Sequence, residues 1–127
     1  MSDNRAGKAT VLVVEDESLL RELIVQELAD AGFAVIEADT GENAIAILDA
    51  GRPIDVLFTD IRLPGHVDGW EIARHARHHR PEIPVIYASG YTLDRSAQVP
   101  DSLYLGKPYR TESVVVEIER CLTRTSS

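Results

Sequence analysis

The chain has 127 residues, a length that fits one domain, with 13 basic and 21 acidic side chains and a net charge of −8. The acidic balance disfavours nucleic acid as a partner, because affinity there comes mainly from neutralised phosphates. No apolar run nears the roughly 20 residues of a membrane span, which predicts no membrane insertion, and one cysteine, Cys121, excludes an internal disulfide and favours a cytoplasmic location.

The first half of the chain alternates apolar runs with amphipathic stretches. Residues Val11 to Val14 are apolar and mostly β-branched, which predicts a strand buried on both faces. From Ser18 to Ala31 apolar residues recur at helical spacing, and a glycine follows. Ala34 to Ala38 predict a second strand, and the next helix runs from Thr40 to near Gly51.

The second half continues the alternation. Asp55 to Thr59 predict a third strand, and a capping-box pattern opens a helix from Asp68 to about Arg80. Val85 to Ala88 and Leu103 to Leu105 predict the fourth and fifth strands, and the last helix starts near Thr111. Five strands alternating with helices predict a parallel sheet covered by helices on both faces.

One helix is poorly supported. Between the fourth and fifth strands only Thr92 to Asp101 are available, and this stretch includes Pro100, which disfavours a helix interior. We expect a folded domain over residues 9–124, with a poorly ordered N-terminus at 1–8 and a tail at 125–127.

Charged and hydroxyl side chains follow four of the five predicted strands. They are Glu15, Asp16, Asp60, Ser89 and Lys107. In a parallel sheet the ligand site lies beyond the carboxyl ends of the strands, so these groups converge. Three carboxylates about 5 Å apart repel by roughly 3 kcal/mol per pair at an effective dielectric near 20, which favours a bound divalent cation. Carboxylates, waters and a phosphate oxygen suit Mg²⁺. Each residue alone is explained as readily by a helix cap, a turn or a surface lysine.

The segments VLVVEDE, DVLFTDIRLP, DGWEI, PVIYASG and YLGKPY together resemble the receiver domains of bacterial two-component response regulators. The resemblance covers about residues 9–124. It implies a doubly wound α/β fold, flavodoxin-like (βα)5, with strand order 2-1-3-4-5. It also implies a single-domain, chemotaxis-regulator-like signalling module rather than an enzyme, phosphorylated by a sensor histidine kinase or a histidine phosphotransfer protein and acting on a protein partner.

The resemblance implies a role for each residue at the strand ends. Glu15 and Asp16 hold Mg²⁺, together with the carboxylate of Asp60 and the backbone carbonyl of Arg62. Asp60 accepts the phosphoryl group, and Lys107 contacts Asp60 and then the phosphate.

The resemblance also implies a second set of residues, which transmit the effect of phosphorylation to the protein surface. Ser89 is the switch hydroxyl and Tyr104 the switch aromatic, with Tyr91 as a competing ring because it lies two residues after Ser89. A cis peptide bond precedes Pro108. A homodimer through the fourth helix, fifth strand and fifth helix is a further expectation.

The sequence departs from the family pattern at two places. The loop at residues 64–69 is one residue longer than usual, and the stretch between Ser89 and Tyr104 is shorter by about one helical turn, which reshapes the expected signalling face. We also hypothesise that Arg62 and Tyr91 hinder the hydrolytic water and prolong the phosphorylated state.

Other functions remain open at this point. A binding module without phosphorylation would not need the complete acidic set. A phosphatase of the haloacid dehalogenase type needs an acid two residues after the nucleophile, where this chain has Arg62. A nucleotide site would need a glycine-rich loop after the first strand, and this chain has none there. His75 and His79 have the spacing of a metal pair, but the neighbouring cations favour a solvated basic face.

Overall fold

The structure is a computed structural model that describes residues 9–90 and 95–126. The predictions for residues 1–8 and for Tyr91 therefore lie outside the described residues. Five strands form one sheet: β1 (Thr10–Val14), β2 (Ala34–Ala38), β3 (Val56–Asp60), β4 (Val85–Ser89) and β5 (Leu103–Gly106). The α-helices in the described ranges are α1 (Ser18–Asp30), α2 (Gly41–Asp49), α3 (Gly69–His79) and α4 (Thr111–Ser126).

The sheet has the predicted topology. All neighbouring strands pair in parallel, in the order β2-β1-β3-β4-β5. Each β-strand alternates its side chains between the two faces of the sheet, so each continuous apolar run contributes side chains to two hydrophobic cores. Leu12, Leu57 and Tyr87 belong to the core beneath α2 and α3, whereas Val13 and Phe58 belong to the core beneath α1 and α4. The flavodoxin-like α/β prediction is thus confirmed.

The helix starts also follow from the sequence. Asp68 caps α3, since its Oδ1 accepts a hydrogen bond from the Glu71 backbone N–H at 3.0 Å. Thr40 caps α2 in the same way, with its hydroxyl accepting from the Asn43 N–H at 3.0 Å. These caps fix where each helix leaves the edge of the sheet that carries the charged residues.

The predicted helix between β4 and β5 is wrong over the described part of that stretch. A 3-10 helix at Arg95–Ala97 is followed by a turn at Pro100, so four α-helices are described where the (βα)5 pattern predicted five. Pro100 has no backbone N–H with which to continue an α-helix. The preceding N–H, that of Val99, donates to the Tyr87 hydroxyl at 3.2 Å. The predicted signalling face therefore consists of this short segment, β5 and α4, the last being the predicted fifth helix. No helix in the described ranges is long and apolar enough to cross a membrane.

Candidate functional site

The carboxyl ends of β1, β3, β4 and β5 meet at one edge of the sheet. Asp60 pairs in register with Ala88, and Ser89 pairs with Gly106. The Lys107 backbone N–H donates to the Ser89 carbonyl at 2.8 Å, which continues the ladder past the end of β5. Parallel pairing therefore brings residues that are far apart in the sequence to a common edge.

Three carboxylates form a cluster at this edge. Glu15, Asp16 and Asp60 each offer one oxygen, and these oxygens all lie within 4.8 Å of one another. Glu15 and Asp60 are buried, at 1% and 3% exposure, whereas Asp16 is exposed. The structure thus brings together the acidic residues that the sequence placed at the ends of the first and third strands.

Lys107 lies beside the two buried carboxylates. Its Nζ is 3.0 Å from Asp60 Oδ1 and 3.7 Å from Glu15 Oε1. Burial lowers the pKa of Lys107, but its contact with Asp60 and the surrounding carboxylates outweigh that effect, so the pKa is raised. One ammonium group therefore faces two buried acids.

The raised pKa values of Glu15 and Asp60 indicate that the one ammonium group of Lys107 does not fully offset the cost of burying both carboxylates. Burial raises the pKa of Glu15 to about 8, with a further contribution from Asp60, although Glu15 Oε2 accepts a hydrogen bond from the Glu17 N–H at 2.9 Å. Burial also raises the pKa of Asp60, against the lowering effect of its contacts with Glu15 and Lys107. Without another cation, the pair retains a proton near neutral pH.

The cluster fits a hard divalent cation. Glu15 Oε1 and Asp60 Oδ1 are buried, and among the described residues they share one cation, the Lys107 ammonium group, without a well-aligned hydrogen bond. Two buried carboxylates that share one ammonium group are costly unless a second cation satisfies them. Oxygen ligands from three carboxylates, with the exposed side of Asp16 open to water, match the preference of Mg²⁺. The predicted use of the Arg62 backbone carbonyl stays a prediction.

A cleft of about 340 Å³ opens beside Asp60. It is lined by Asp60, Arg62, Ala88, Ser89, Gly90 and Lys107. A carboxylate, a hydroxyl and an ammonium group thus border the same space, which is large enough for a tetrahedral oxyanion. Arg62 is exposed at its rim, in the loop that follows β3.

Tyr104 connects this edge to the interior. Its ring is half-buried against the core beneath α2 and α3, and its hydroxyl donates to the Ser89 carbonyl at 3.5 Å, the long limit of a hydrogen bond. The Lys107–Pro108 peptide bond is cis, where the resemblance led us to expect one. The Tyr104 hydroxyl therefore lies near the Ser89 backbone, and the switch roles of the two residues stay a prediction.

Two residues beside the site received no role from the sequence. Tyr109 has a buried hydroxyl without a hydrogen-bond partner in the described ranges, and burial together with Glu15 and Asp60 raises its pKa. Its ring packs edge-on against Phe58 with centroids 6.0 Å apart. Gly69 starts α3 against the backbone of Asp60, and its N–H donates to the Ile61 carbonyl at 2.8 Å. Only the position of this glycine at a predicted helix start could have signalled it.

Comparison with known proteins agrees with this geometry. The family model "response regulator receiver domain" matches residues 11–119. The receiver protein CpdR of Brucella abortus is 33% identical over 116 residues, which cover 88% of this chain and 95% of CpdR. The sensor kinase CckA of the same organism is 32% identical over 124 residues, 94% of this chain, but the chain spans only 13% of that kinase.

Solved structures of similar proteins share the fold. A response regulator receiver protein from Sinorhizobium medicae superposes with a TM-score of 0.87 at 36% identity, covering 91% of this chain and 95% of that protein. The chemotaxis protein CheY4 of Vibrio cholerae superposes with a TM-score of 0.78 at 26% identity, covering 90% of this chain and 98% of that protein. Both matches extend over nearly the whole domain.

Proposed function

The chain belongs to the response regulator receiver domain family, and from that premise we propose that it accepts a phosphoryl group on Asp60 in a Mg²⁺-dependent reaction and thereby switches a protein-interaction surface. The observation that carries the proposal is the contact between Lys107 and Asp60 inside a carboxylate cluster. In this cluster two buried oxygens, Glu15 Oε1 and Asp60 Oδ1, share that one ammonium group in the described ranges. A merely structural ion pair would not need two further acids and an open cleft beside it.

The chemistry is a transfer between two nucleophiles. One carboxylate oxygen of Asp60 attacks phosphorus in line, the new O–P bond forms, and the bond from phosphorus to the donor imidazole nitrogen breaks with its electron pair returning to that nitrogen. Mg²⁺ bound by Glu15, Asp16 and Asp60 would supply positive charge for the phosphoryl oxygens. Lys107 holds a second positive charge at the same edge.

In the product, a phosphoryl group with about −1.5 to −2 charge and three acceptor oxygens replaces the single negative charge of the Asp60 carboxylate. Ser89 lines the cleft beside Asp60, and we infer that its hydroxyl donates to one of these oxygens. Because the Tyr104 hydroxyl contacts the Ser89 backbone, movement at Ser89 changes the packing of Tyr104. The two states then differ on the surface formed by β5, α4 and the segment before β5, as expected for a population shift.

The donor is a protein that carries a phosphohistidine, and α1 offers it a surface. Leu19 and Leu23 are 65% and 51% exposed, and both lie in the first two turns of the helix that begins just after Asp16. Two exposed leucines one turn apart, on the helix that follows the carboxylate cluster in the chain, suit an apolar helix face of the donor.

Incubation with acetyl phosphate and Mg²⁺, followed by intact-mass analysis, tests the proposal. We expect the mass of one phosphoryl group to be added, and Asp60→Asn to abolish the addition. Asp101→Asn is the matched control, because Asp101 has a positive φ of 59°, which asparagine tolerates, and lies outside the cleft. Labelling that persists in Asp60→Asn, or that needs no divalent ion, would contradict the proposal.

A further inference from the structure

Three metal-ligand side chains meet where α2 and α3 end. Asp49 is the last residue of α2, and His75 and His79 lie one turn apart near the end of α3. Asp49 Oδ1 is 2.6 Å from the Nε2 of His75 and 2.9 Å from the Nε2 of His79. The three ligand atoms lie within 4.8 Å of one another, so they converge on one point.

This cluster is separate from the carboxylate cluster around Asp60. Both helices begin beyond the carboxyl ends of parallel strands and run back along the sheet, so their last turns lie at the opposite edge. Asp49, His75 and His79 are therefore outside the cleft, and no role described above uses them.

We propose that Asp49, His75 and His79 form a second metal site, for a transition-metal ion of the zinc class, with a fourth position open to water. Two imidazole nitrogens and one carboxylate oxygen are a donor set typical of zinc sites with an open position. Bonds of about 2.0–2.2 Å place tetrahedral ligand atoms roughly 3.3 Å apart, so the His75 and His79 contacts with Asp49 need to lengthen by about 0.7 and 0.4 Å. All three side chains are partly exposed, which leaves a route for the ion.

Two of the basic neighbours that argued against a metal pair in the sequence, Arg77 and Arg80, bind backbone carbonyls outside the cluster. Arg77 donates to the Ile83 and Pro100 carbonyls at 2.7 Å each, and Arg80 donates to the Ile54 carbonyl at 2.7 Å. Asp49, which is 26 residues before His75, supplies the negative charge that the local sequence lacks.

The contacts with His75 and His79 lower the pKa of Asp49 from the ordinary value, because the carboxylate accepts hydrogen bonds from the two rings. A competing explanation is a pair of protonated histidines that bind Asp49 without metal, near the favourable C-terminal end of the α3 dipole. The two explanations differ in whether a metal ion changes the protein.

The test is a Zn²⁺ titration of the full chain without an affinity tag, in competition with a chromophoric chelator and in excess Mg²⁺, which competes for the carboxylates around Asp60. We expect one Zn²⁺ per chain with micromolar affinity. Asp49→Asn, His75→Gln and His79→Gln should each weaken binding by at least about tenfold. His78→Gln is the matched control, since His78 lies on the same helix but outside the cluster, and it should bind as the unchanged chain does.

A second measurement guards against misfolded variants. Zn²⁺ should raise the thermal midpoint of the unchanged chain and of His78→Gln, because it binds only the folded state, but not that of His75→Gln. The zinc-free midpoints of the variants show whether they fold. Absence of Zn²⁺ binding, equal weakening by His78→Gln, or tight binding that survives in folded His75→Gln and Asp49→Asn would each overturn the proposal in favour of a metal-free ion pair.

Discussion

Lys107 Nζ lies 3.0 Å from Asp60 Oδ1, although β4 separates the two strands at whose ends these residues lie. The contact crosses the edge of the sheet and holds the buried Asp60 carboxylate against an ammonium group. Because the same group is 3.7 Å from Glu15, removing it would leave two buried acids facing each other. The Lys107–Asp60 pair therefore links the stability of this edge to its chemistry.

Replacing Lys107 tests that link. Lys107→Met keeps the aliphatic stem but removes the charge, and we expect labelling by acetyl phosphate at saturating Mg²⁺ to slow by about 100-fold, typical of losing one group that stabilises transition-state charge. The rate is followed by intact mass. Arg110→Met removes an exposed cation nearby and should label at the rate of the unchanged chain. Equal rates for the two variants would show that Lys107 has no part in the transfer.

The raised pKa of Glu15 predicts how stability depends on pH without metal. The pKa rises from an ordinary 4.5 to about 8 on folding, so the stabilising contribution is complete below pH 4.5 and is lost as the pH rises through 8. The metal-free chain should therefore unfold at lower urea concentration at pH 8 than at pH 5. Glu15→Gln, which cannot ionise, should show a flatter profile. A profile in Glu15→Gln as steep as in the unchanged chain would assign the effect to another group.

The same titration predicts the pH dependence of Mg²⁺ binding. Because the ion must displace the proton shared by the buried acids, its affinity should rise by up to about tenfold per pH unit from pH 6 to 8 and then level off. Trp70, the only tryptophan, follows Gly69 at the start of α3 and gives a fluorescence signal close to Asp60. An affinity that is constant over this range would mean that no proton leaves when the ion binds.

Gly69 shows why one position in the site tolerates no side chain. A Cβ there would meet the Asp60 carbonyl and lie 2.8 Å from the Ile61 Cα, so Gly69→Ala must displace the end of β3. We expect a loss of about 1–3 kcal/mol in the free energy of unfolding, as for overpacking, and slower labelling of Asp60. Gly106→Ala, where a Cβ meets open space, is the control for both measurements. Similar losses in the two variants would remove the steric explanation.

The sequence predicts most of this site because of one geometric rule. Strands such as Val11–Val14 are recognisable as apolar runs, and parallel pairing then sends the residue after each run to a single edge. Glu15, Asp60 and Lys107 could therefore be placed together without knowledge of any side-chain contact. The strand order came from the resemblance, and the structure confirms it.

The features that the sequence did not predict depend on contacts between distant segments. Helical spacing put His75 and His79 on one face but could not show that this face meets the end of α2 at Asp49. Tyr109 has no local pattern that indicates a buried hydroxyl beside acids. The helix expected before β5 failed because Val99 binds Tyr87 instead of continuing a helical ladder, a tertiary contact that periodicity does not encode.

Arg62 tests the hypothesis of a prolonged phosphorylated state. Arg62 lines the cleft together with Asp60 and Lys107, so its large side chain restricts the approach of water to the phosphoryl group. We expect Arg62→Ala to dephosphorylate several-fold faster once the donor is removed, as measured by the decay of the phosphorylated mass. Arg110→Ala serves as the exposed control, and an unchanged decay in Arg62→Ala would exclude hindrance by this side chain.

The exposed leucines of α1 predict a difference between protein and small-molecule donors. Leu23→Glu places a charge on the surface proposed to receive the phosphohistidine protein, so transfer from such a donor should slow by about tenfold, the loss typical of one apolar contact in an interface. Acetyl phosphate needs no docking surface, so its labelling rate should not change. Val116→Glu alters another exposed apolar side chain, on α4, and is the matched control. If Leu23→Glu slows both donors equally, the substitution acts on Asp60 itself, and if it slows neither, the donor docks elsewhere.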